Sequence, residues 1–157
     1  MAREIERKFL IRNADWEKEA DDGVRLTQAY LAGGRDRSVR IRLFDGKAAR
    51  LTLKFGGGTF ARDEFEYDVP LDDARQMLTH ATGIVIDKTR YKVERGAFTY
   101  EIDVFHGDHD GLIVAEVELP DENAEPPLPD WLGREVTGDR RYLNQSLSKR
   151  AGLPEEI

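Results

Sequence analysis

Apolar and polar residues alternate with a period of two along most of the chain. Because successive side chains of a strand point to opposite faces, this period is typical of β-strands with two unlike faces. Turn signals such as Asp45-Gly46 and Gly56-Gly57-Gly58 separate the alternating segments, and short connections favour antiparallel pairing. The eight predicted strands are Glu4–Ile11, Arg25–Ala32, Ser38–Phe44, Ala48–Phe55, Ala61–Val69, Asp87–Val93, Thr99–Phe105 and Leu112–Leu119.

Three segments interrupt the alternation and predict helices. Pro70–Thr82 has acidic residues near its start and a glycine directly after its end. Asn13–Ala20 predicts a short helix, and Arg140–Ala151 predicts a C-terminal one. The acidic, proline-rich stretch Asp121–Pro129 predicts a loop. The pattern therefore indicates an α+β fold dominated by β-structure, with a few peripheral helices.

One face of nearly every predicted strand is almost purely ionic. In the first strand Glu4, Glu6 and Lys8 lie opposite Ile5 and Phe9. Strands one, five, seven and eight carry mainly acids: Glu4, Glu6, Glu64, Glu66, Asp68, Glu101, Asp103, Glu116 and Glu118. Strands three, four and six carry bases: Arg40, Arg42, Lys54, Lys88, Arg90 and Lys92. We expect Lys54 to join this face only if the register of its strand shifts by one residue.

Sorting of the two signs by strand favours an enclosed interior over a solvated surface. Antiparallel sheets commonly have one wet face, but such a face normally mixes neutral polar residues with its charges. About eight strands can close into a barrel that holds side chains or one small ligand. The sequence thus predicts a closed eight-stranded antiparallel barrel with a wet, charged interior, because unpaired charge in a dry interior is too costly.

Composition narrows the class of protein. The 157 residues suit one domain spanning 1–157, and charged residues make up 35% of them, above the usual quarter. The net charge of −7 argues against general nucleic-acid binding. There is no cysteine, no signal peptide and no apolar run of about 20 residues that could cross a membrane. We therefore expect a cytoplasmic protein that binds neither nucleic acid nor membrane.

The two kinds of ionic face together suit a metal-bound polyphosphate. Clustered carboxylates can hold Mg²⁺ or Mn²⁺, and arginine and lysine side chains can clamp phosphate oxygens. Phosphoryl transfer depends mainly on positioning and charge neutralisation, so the missing cysteine is no obstacle. His106 and His109 lie in a Gly/Asp-rich turn, and we expect them to be solvated rather than to ligate zinc.

An ordered series of motifs resembles the CYTH domain, the superfamily of triphosphate tunnel metalloenzymes. Glu4 to Leu10 is similar to its N-terminal ExExK signature. The other matching segments are 28–31 (QAYL), 39–42 (VRIR), 51–54 (LTLK), 64–67 (EFEY), 88–91 (KTRY), 101–105 (EIDVF), 115–119 (AEVEL) and 135–142 (EVTGDRRY). The resemblance implies an eight-stranded antiparallel tunnel, a divalent metal and a small-molecule substrate that carries a triphosphate.

The resemblance also assigns roles to individual residues. Glu4, Glu6, Glu116 and Glu118 would bind the metal. Lys8, Arg40, Arg42, Lys54, Lys88, Arg90 and Arg141 would bind the triphosphate, supported by Glu64, Glu66, Glu101 and Asp103. Lys8 and Tyr30 are similar to a Lys–Tyr pair linked to catalysis, although both could equally be structural, and Lys88 is a third catalytic candidate. The helix from Arg140 resembles the element that closes one tunnel mouth.

Among activities that the family implies, hydrolysis of inorganic triphosphate to pyrophosphate and phosphate is the leading hypothesis. The short form of the chain resembles compact bacterial inorganic triphosphatases. A class IV adenylate cyclase, a thiamine or nucleoside triphosphatase and a non-catalytic polyphosphate-binding module are the alternatives. The resemblance leaves formation of a homodimer open.

Overall fold

The computed structural model describes residues 2–56 and 61–154, which leaves Gly57 and Gly58 of the predicted glycine turn outside the described residues. The strands in the described residues are β1 (Ala2–Ile11), β2 (Val24–Gly33), β3 (Arg37–Phe44), β4 (Ala48–Phe55), β5 (Ala61–Val69), β6 (Ile86–Arg95), β7 (Phe98–Phe105), β8 (Ile113–Glu118) and β9 (Leu132–Glu135). All eight predicted strands are present, with ends that differ by up to two residues.

The strands form one antiparallel sheet that closes on itself. Its order is β5-β4-β3-β2-β6-β7-β8-β1-β9, and an additional pairing of β5 with β1 completes a ring of eight strands. Of the nine strand pairs in the described residues, seven are antiparallel ladders without a register shift. One of them joins β3 to β4 from Arg37↔Phe55 to Phe44↔Ala48. The predicted closed barrel is confirmed. Lys54 lies on the charged face without the register shift that the sequence analysis made its condition, because the ladders of β4 with β3 and β5 run without a break.

Strand β1 holds the ring together by pairing with three other strands. One edge pairs with β8 over Glu6 to Leu10, while the other edge meets β5 at Ala2 to Ile5 and β9 at Phe9 and Ile11. The sequence analysis missed β9, whose four residues include Gly133 and show no alternation. This strand continues the β1 edge beyond the end of β5.

The helices are shorter than predicted. Helix α1 (Leu71–Leu78) replaces the predicted Pro70–Thr82, and Asp15–Lys18 forms only a 3₁₀ turn. The predicted helix Arg140–Ala151 was wrong in extent. It consists of a 3₁₀ turn, Arg140–Tyr142, and helix α2 (Asn144–Leu147), separated by the extended backbone of Leu143 at φ −70° and ψ 139°. No helix in the described ranges has the length and apolar character needed to cross a bilayer.

The apolar core lies on the outside of the barrel wall. Helix α1 packs through Ala74 against Ala29, Ile41, Leu43 and Ala49 of β2, β3 and β4. On the other side, loops bring aromatic residues against β6, β7 and β8, with Tyr100 and Trp131 in an edge-on contact. Because the apolar faces are satisfied by this outer cover, the charged faces are left to point inward.

His109 is buried, which corrects the expectation of a solvated loop residue. It is 1% exposed, and its Nε2 lies 2.7 Å from the Leu147 carbonyl oxygen and 2.8 Å from the Arg150 carbonyl oxygen. His106 is half-buried, with its Nε2 at 2.7 Å from the Thr89 hydroxyl. The C-terminal segment folds back over this turn, and that long-range contact has no signature in the local sequence.

Candidate active site

The barrel encloses a cavity of about 360 Å³ whose lining is mostly ionic. Side chains two residues apart on each strand point into it, as the alternation predicted. The acidic lining residues are Glu4, Glu6, Asp21, Glu64, Glu66, Glu101, Glu116 and Glu118, and the basic ones are Lys8, Arg40, Arg42, Arg50, Lys54, Arg62, Arg90 and Lys92. Strand β2 contributes Val24, Leu26 and Tyr30, and the C-terminal segment contributes Leu143, Asn144 and Gln145 at one mouth.

Carboxylates of β1 and β8 face each other directly. Glu6 is the cross-strand partner of Glu118, and Lys8 is the partner of Glu116. Burial and the charges of Glu116 and Glu4 raise the pKa of Glu6 well above its ordinary value. Like charges at such close range cannot all remain ionised without a cation. These acids therefore form a region of concentrated negative charge that is only partly neutralised.

A second acidic contact joins β1 to β5. Burial and hydrogen bonds with Glu4 and Glu66 raise the pKa of Glu64 to about 8. Burial opposes ionisation of Glu4, but the hydrogen bond with Glu64 and the charge of Lys54 outweigh it and lower its pKa. The protonated form of Glu64 is thus favoured at neutral pH, and its hydroxyl donates a hydrogen bond to the ionised Glu4.

The chemistry of these donors fits a divalent cation. Shared protons between neighbouring carboxylates mark positions where a cation could replace the proton. Within residues 2–56 and 61–154 no three carboxylate or imidazole groups are arranged as a ready-made metal cage. Mg²⁺ seldom needs one, since it is usually held by one or two carboxylates together with waters and substrate phosphates. Glu4, Glu6, Glu116 and Glu118 are therefore suited to hold a metal together with a bound polyphosphate.

Arg40 and Arg42 present positive charge to the cavity, and the charge of Glu66 acts on both from beyond ion-pair distance. Both are buried, and among the described residues neither lies within ion-pair distance of a carboxylate. Arg42 donates to Gln28 and Arg40 donates to Thr52, both neutral acceptors. Burial and the charges of Arg40 and Arg90 lower the pKa of Arg42 well below its ordinary value. Two such guanidinium groups on one strand are suited to bind an anion.

Most of the other basic residues of the cavity lining are paired with acids. Lys54 Nζ lies 3.0 Å from Glu4 Oε2 and 3.4 Å from Glu64 Oε2. Arg90 donates two hydrogen bonds of 2.7 and 2.9 Å to Asp103. Lys54 and Arg90 therefore contribute less free charge to the cavity than Arg40 and Arg42 do.

Lys88, Asp103 and Arg141 do not line the cavity, although the sequence analysis grouped them with the site. Lys88 is completely buried, and its Nζ lies 2.7 Å from Asp103 Oδ2 and donates to Asn144 Oδ1 at 2.9 Å. Arg141 lies in the Arg140–Tyr142 turn and binds Asp139. Direct contact of Lys88 or Arg141 with substrate stays a prediction.

Lys8 and Tyr30 lie in the same part of the cavity. Lys8 Nζ is 3.4 Å from Glu116 Oε1 and donates to the Tyr142 carbonyl oxygen at 3.2 Å. Burial lowers the pKa of Lys8, but the charges of Glu116 and Glu6 outweigh it and raise the pKa. Lys8 is therefore protonated in the free protein. Its arrangement suits a counter-ion of the glutamates, and a catalytic role for Lys8 and Tyr30 stays a prediction.

Sequence reasoning missed several residues that the fold brings to the site. Gln28 and Thr52 accept hydrogen bonds from the two arginines that have no salt bridge, Arg42 and Arg40. Arg62, which alternation places on the charged face of β5, reaches the cavity with its terminal nitrogen 4.0 Å from Glu6 Oε1. The signal for Gln28 and Thr52 was their position in strand alternation, which places them on the same faces as Tyr30 and Lys54. Leu143 to Gln145 gave no such signal, because their position depends on the path of the C-terminal segment.

Comparison with known proteins agrees with the tunnel geometry. The CYTH domain profile matches residues 2–152. The chain belongs to the CYTH family. It is 45% identical over 150 residues to an Acetivibrio thermocellus protein named inorganic triphosphatase, with 95% of each chain covered. A Nitrosomonas europaea protein of the same name is 38% identical over 151 residues, covering 92% of this chain and 96% of that protein.

Solved structures in the CYTH family show the same architecture. A crystal structure of an inorganic triphosphatase superposes with a TM-score of 0.66 at 33% identity, covering 94% of this chain and 95% of that chain. Structures described as adenylate cyclases are more distant, with identities of 12%, 14% and 16%, and they share the fold alone.

Proposed function

We propose that this chain hydrolyses inorganic triphosphate to pyrophosphate and phosphate inside the barrel. The observation that carries the proposal is the pair of buried arginines, Arg40 and Arg42, that have neutral partners and face a wall of carboxylates across one cavity. A dry core does not tolerate such charges, whereas a polyphosphate anion with a divalent cation neutralises both walls at once. The relatives named inorganic triphosphatase support the choice of substrate.

In the proposed reaction the basic residues of the cavity bind the phosphates and stabilise the leaving group. Arg40 and Arg42 hold the phosphate oxygens, with Lys54 and Arg90 adding weaker attraction because acids already bind them. Water attacks the terminal phosphorus, the bridging P–O bond breaks, and its electron pair leaves on pyrophosphate. The cationic wall stabilises the charge that develops on the leaving group, and the barrel fixes the geometry of attack.

Glu4, Glu6, Glu116 and Glu118 would hold the divalent cation, for which we propose Mg²⁺ or Mn²⁺. CYTH triphosphatases are metal-dependent. Such a cation supplies neutralisation of phosphate oxygens and a more acidic bound water. The high pKa of Glu6 supports the assignment, since a bound cation would favour its ionised form.

A substrate panel tests the proposed activity. With Mg²⁺ and Mn²⁺ in separate assays, we expect phosphate release from tripolyphosphate to exceed that from ATP and thiamine triphosphate. The tunnel offers ionic groups for three phosphates, and the distant cyclase-described structures give no argument for a nucleotide substrate. Formation of cyclic AMP from ATP with negligible phosphate release would contradict the proposal. Tight tripolyphosphate binding without turnover under either metal would favour a binding module.

Glu6→Gln tests the metal assignment. Loss of this carboxylate should raise the metal concentration for half-maximal activity by about 10–100-fold, while thermal stability is kept because a buried acid with raised pKa is replaced by its neutral isostere. Titration of Mg²⁺ and Mn²⁺ in the phosphate-release assay measures the effect. Glu17→Gln, in the exposed 3₁₀ turn Asp15–Lys18, is the control. Equal metal dependence of wild type and Glu6→Gln would remove Glu6 from the metal site.

Three further assignments remain proposals. The chain acts as a single CYTH domain, it works in the cytoplasm, and it is able to form a homodimer. Sedimentation of the purified chain would test the last of these.

A further inference from the structure

Gln28 lies directly behind the phosphate-binding arginine Arg42. It is fully buried at the centre of β2, where its cross-strand partners are Arg42 on β3 and Ile86 on β6. Arg42 Nε donates to Gln28 Oε1 at 2.6 Å. Because a guanidinium has only donors, the oxygen end of the amide must face it. This bond takes up the Nε–H of Arg42 and leaves the two terminal nitrogens directed to other partners.

The amide nitrogen of Gln28 is left without a hydrogen-bond partner among the described residues. Buried polar groups in proteins are nearly always paired, so an unpaired one needs an explanation. A glutamate would fit the same space, would have no unpaired N–H and would bind Arg42 with a stronger, charge-assisted bond. The chain has the less stable choice at a fully buried position.

Comparison with the other cations of the interior shows how a neutral partner differs from an acidic one. Arg90 is bound by Asp103 and lies 3.5 Å from Glu101, and Lys54 is bound by Glu4 and Glu64. These cations are positioned and also neutralised. Arg42 is positioned by a neutral amide, and Arg40 by the neutral hydroxyl of Thr52 at 3.3 Å. Only a neutral acceptor can orient a guanidinium and leave its whole charge available to an anion.

We propose that Gln28 is a positioning residue for anion binding: it orients Arg42 through Nε and, being uncharged, keeps the charge of Arg42 available to the triphosphate. The inference rests on the proposed function. Gln28 is not among the residues that line the tunnel cavity, and it acts through Arg42. Its neutrality therefore sets how strongly this end of the tunnel attracts a polyanion.

Gln28→Glu distinguishes a positioning role from a structural one, because the positioning role predicts an equal or higher thermal midpoint and the structural role predicts a lower one. The new carboxylate should pair with Arg42 and raise or preserve the thermal midpoint. Affinity for metal-free tripolyphosphate should fall by about 10–100-fold at alkaline pH, the range expected when a charge-assisted bond is lost. The affinity should recover as the pH is lowered through the pKa of the introduced carboxyl. In turnover, KM should rise with little change in kcat.

Two further variants complete the test. Gln76→Glu makes the same substitution on the exposed side of α1 and should leave binding unchanged. In an Arg42→Gln background, Gln28→Glu should have no additional effect on affinity, because the residue through which it acts is gone. Isothermal titration calorimetry with tripolyphosphate measures all of these variants.

The outcomes distinguish the inference from the proposed function. If the wild-type chain binds no tripolyphosphate, the proposed function fails. If the wild type binds and Gln28→Glu binds equally well at every pH tested, the positioning role is wrong. Weaker binding that is independent of pH and accompanied by a lower thermal midpoint would show that Gln28 is merely structural.

Discussion

Arg42→Gln is expected to lower kcat/KM for tripolyphosphate by about 10²–10³-fold and to leave the thermal midpoint equal or higher. The size of the loss is that seen when one preorganised donor to a developing anionic charge is removed. Stability should not suffer, because burial, Arg40 and Arg90 all disfavour the charge of Arg42 and glutamine can still bind the Gln28 amide. Steady-state phosphate release and thermal unfolding measure the two effects.

Arg37→Gln is the matched control for this prediction. Arg37 is on the same strand, β3, but it is exposed on the outer face and paired with Asp36. We expect neither activity nor stability to change measurably, since exposed ion pairs contribute little. If Arg42→Gln lost activity only together with its fold, Arg42 would be a structural residue, and the anion site would need another explanation.

Asp103→Asn is expected to lower the free energy of unfolding by about 3–5 kcal/mol, the usual result of breaking a buried ion pair. Asp103 is 2% exposed and is the shared partner of two cations, the fully buried Lys88 at 2.7 Å and the half-buried Arg90 at 2.7 Å. Without its charge, Lys88 and Arg90 would face each other in the wall. Urea unfolding at neutral pH measures the loss.

Asp68→Asn is the control for Asp103, because Asp68 also pairs with an arginine but is exposed on β5, with its Oδ1 at 3.5 Å from Arg50 Nε. We expect its effect to stay below about 1 kcal/mol. Similar losses at Asp68 and Asp103 would show that burial of the Asp103 cluster does not matter.

The Asp103 effect should also depend on pH in one direction. Burial opposes ionisation of Asp103, but Arg90 and Lys88 outweigh it and lower its pKa from 3.8 to about 2. A lowered pKa in the folded state adds stability that is complete above the unfolded pKa and is lost as pH falls through the folded one. About 2 kcal/mol of the difference between wild type and Asp103→Asn should therefore disappear as the pH falls from about 4 to below 2.

Sequence alternation was sufficient to place most of the cavity lining. Glu6, Arg42 and Arg90 were assigned to their faces from period two alone, and the structure brings all three into one lumen. This success has a local cause, since the direction of a strand side chain depends only on its position in the strand. The closed barrel was predicted from the sorting of the two charge signs by strand, because acidic and basic faces can neutralise a common ligand only if they surround it.

Strand alternation could not predict whether a side chain on the inner face lines the cavity or is fully buried. Lys88 and Arg90 share a face of β6, yet Arg90 lines the cavity while Lys88 is fully buried and binds Asn144 of the C-terminal segment. His109 is buried by the same segment. Strand β9 forms because its four residues meet the free edge of β1. Each of these outcomes depends on contacts between residues far apart in the chain, which local periodicity does not contain.

The threefold pairing of β1 has a consequence for the order of assembly during synthesis. The ribosome makes β1 first, yet its partner β8 emerges more than a hundred residues later, and loop closure over such a distance is slow. Glu4 and Glu6 are synthesised early, with β1, whereas Glu116 and Glu118 are synthesised late, with β8. A nascent chain therefore carries only two of the four carboxylates proposed to hold the metal until β8 docks, and the cavity lining is incomplete before then.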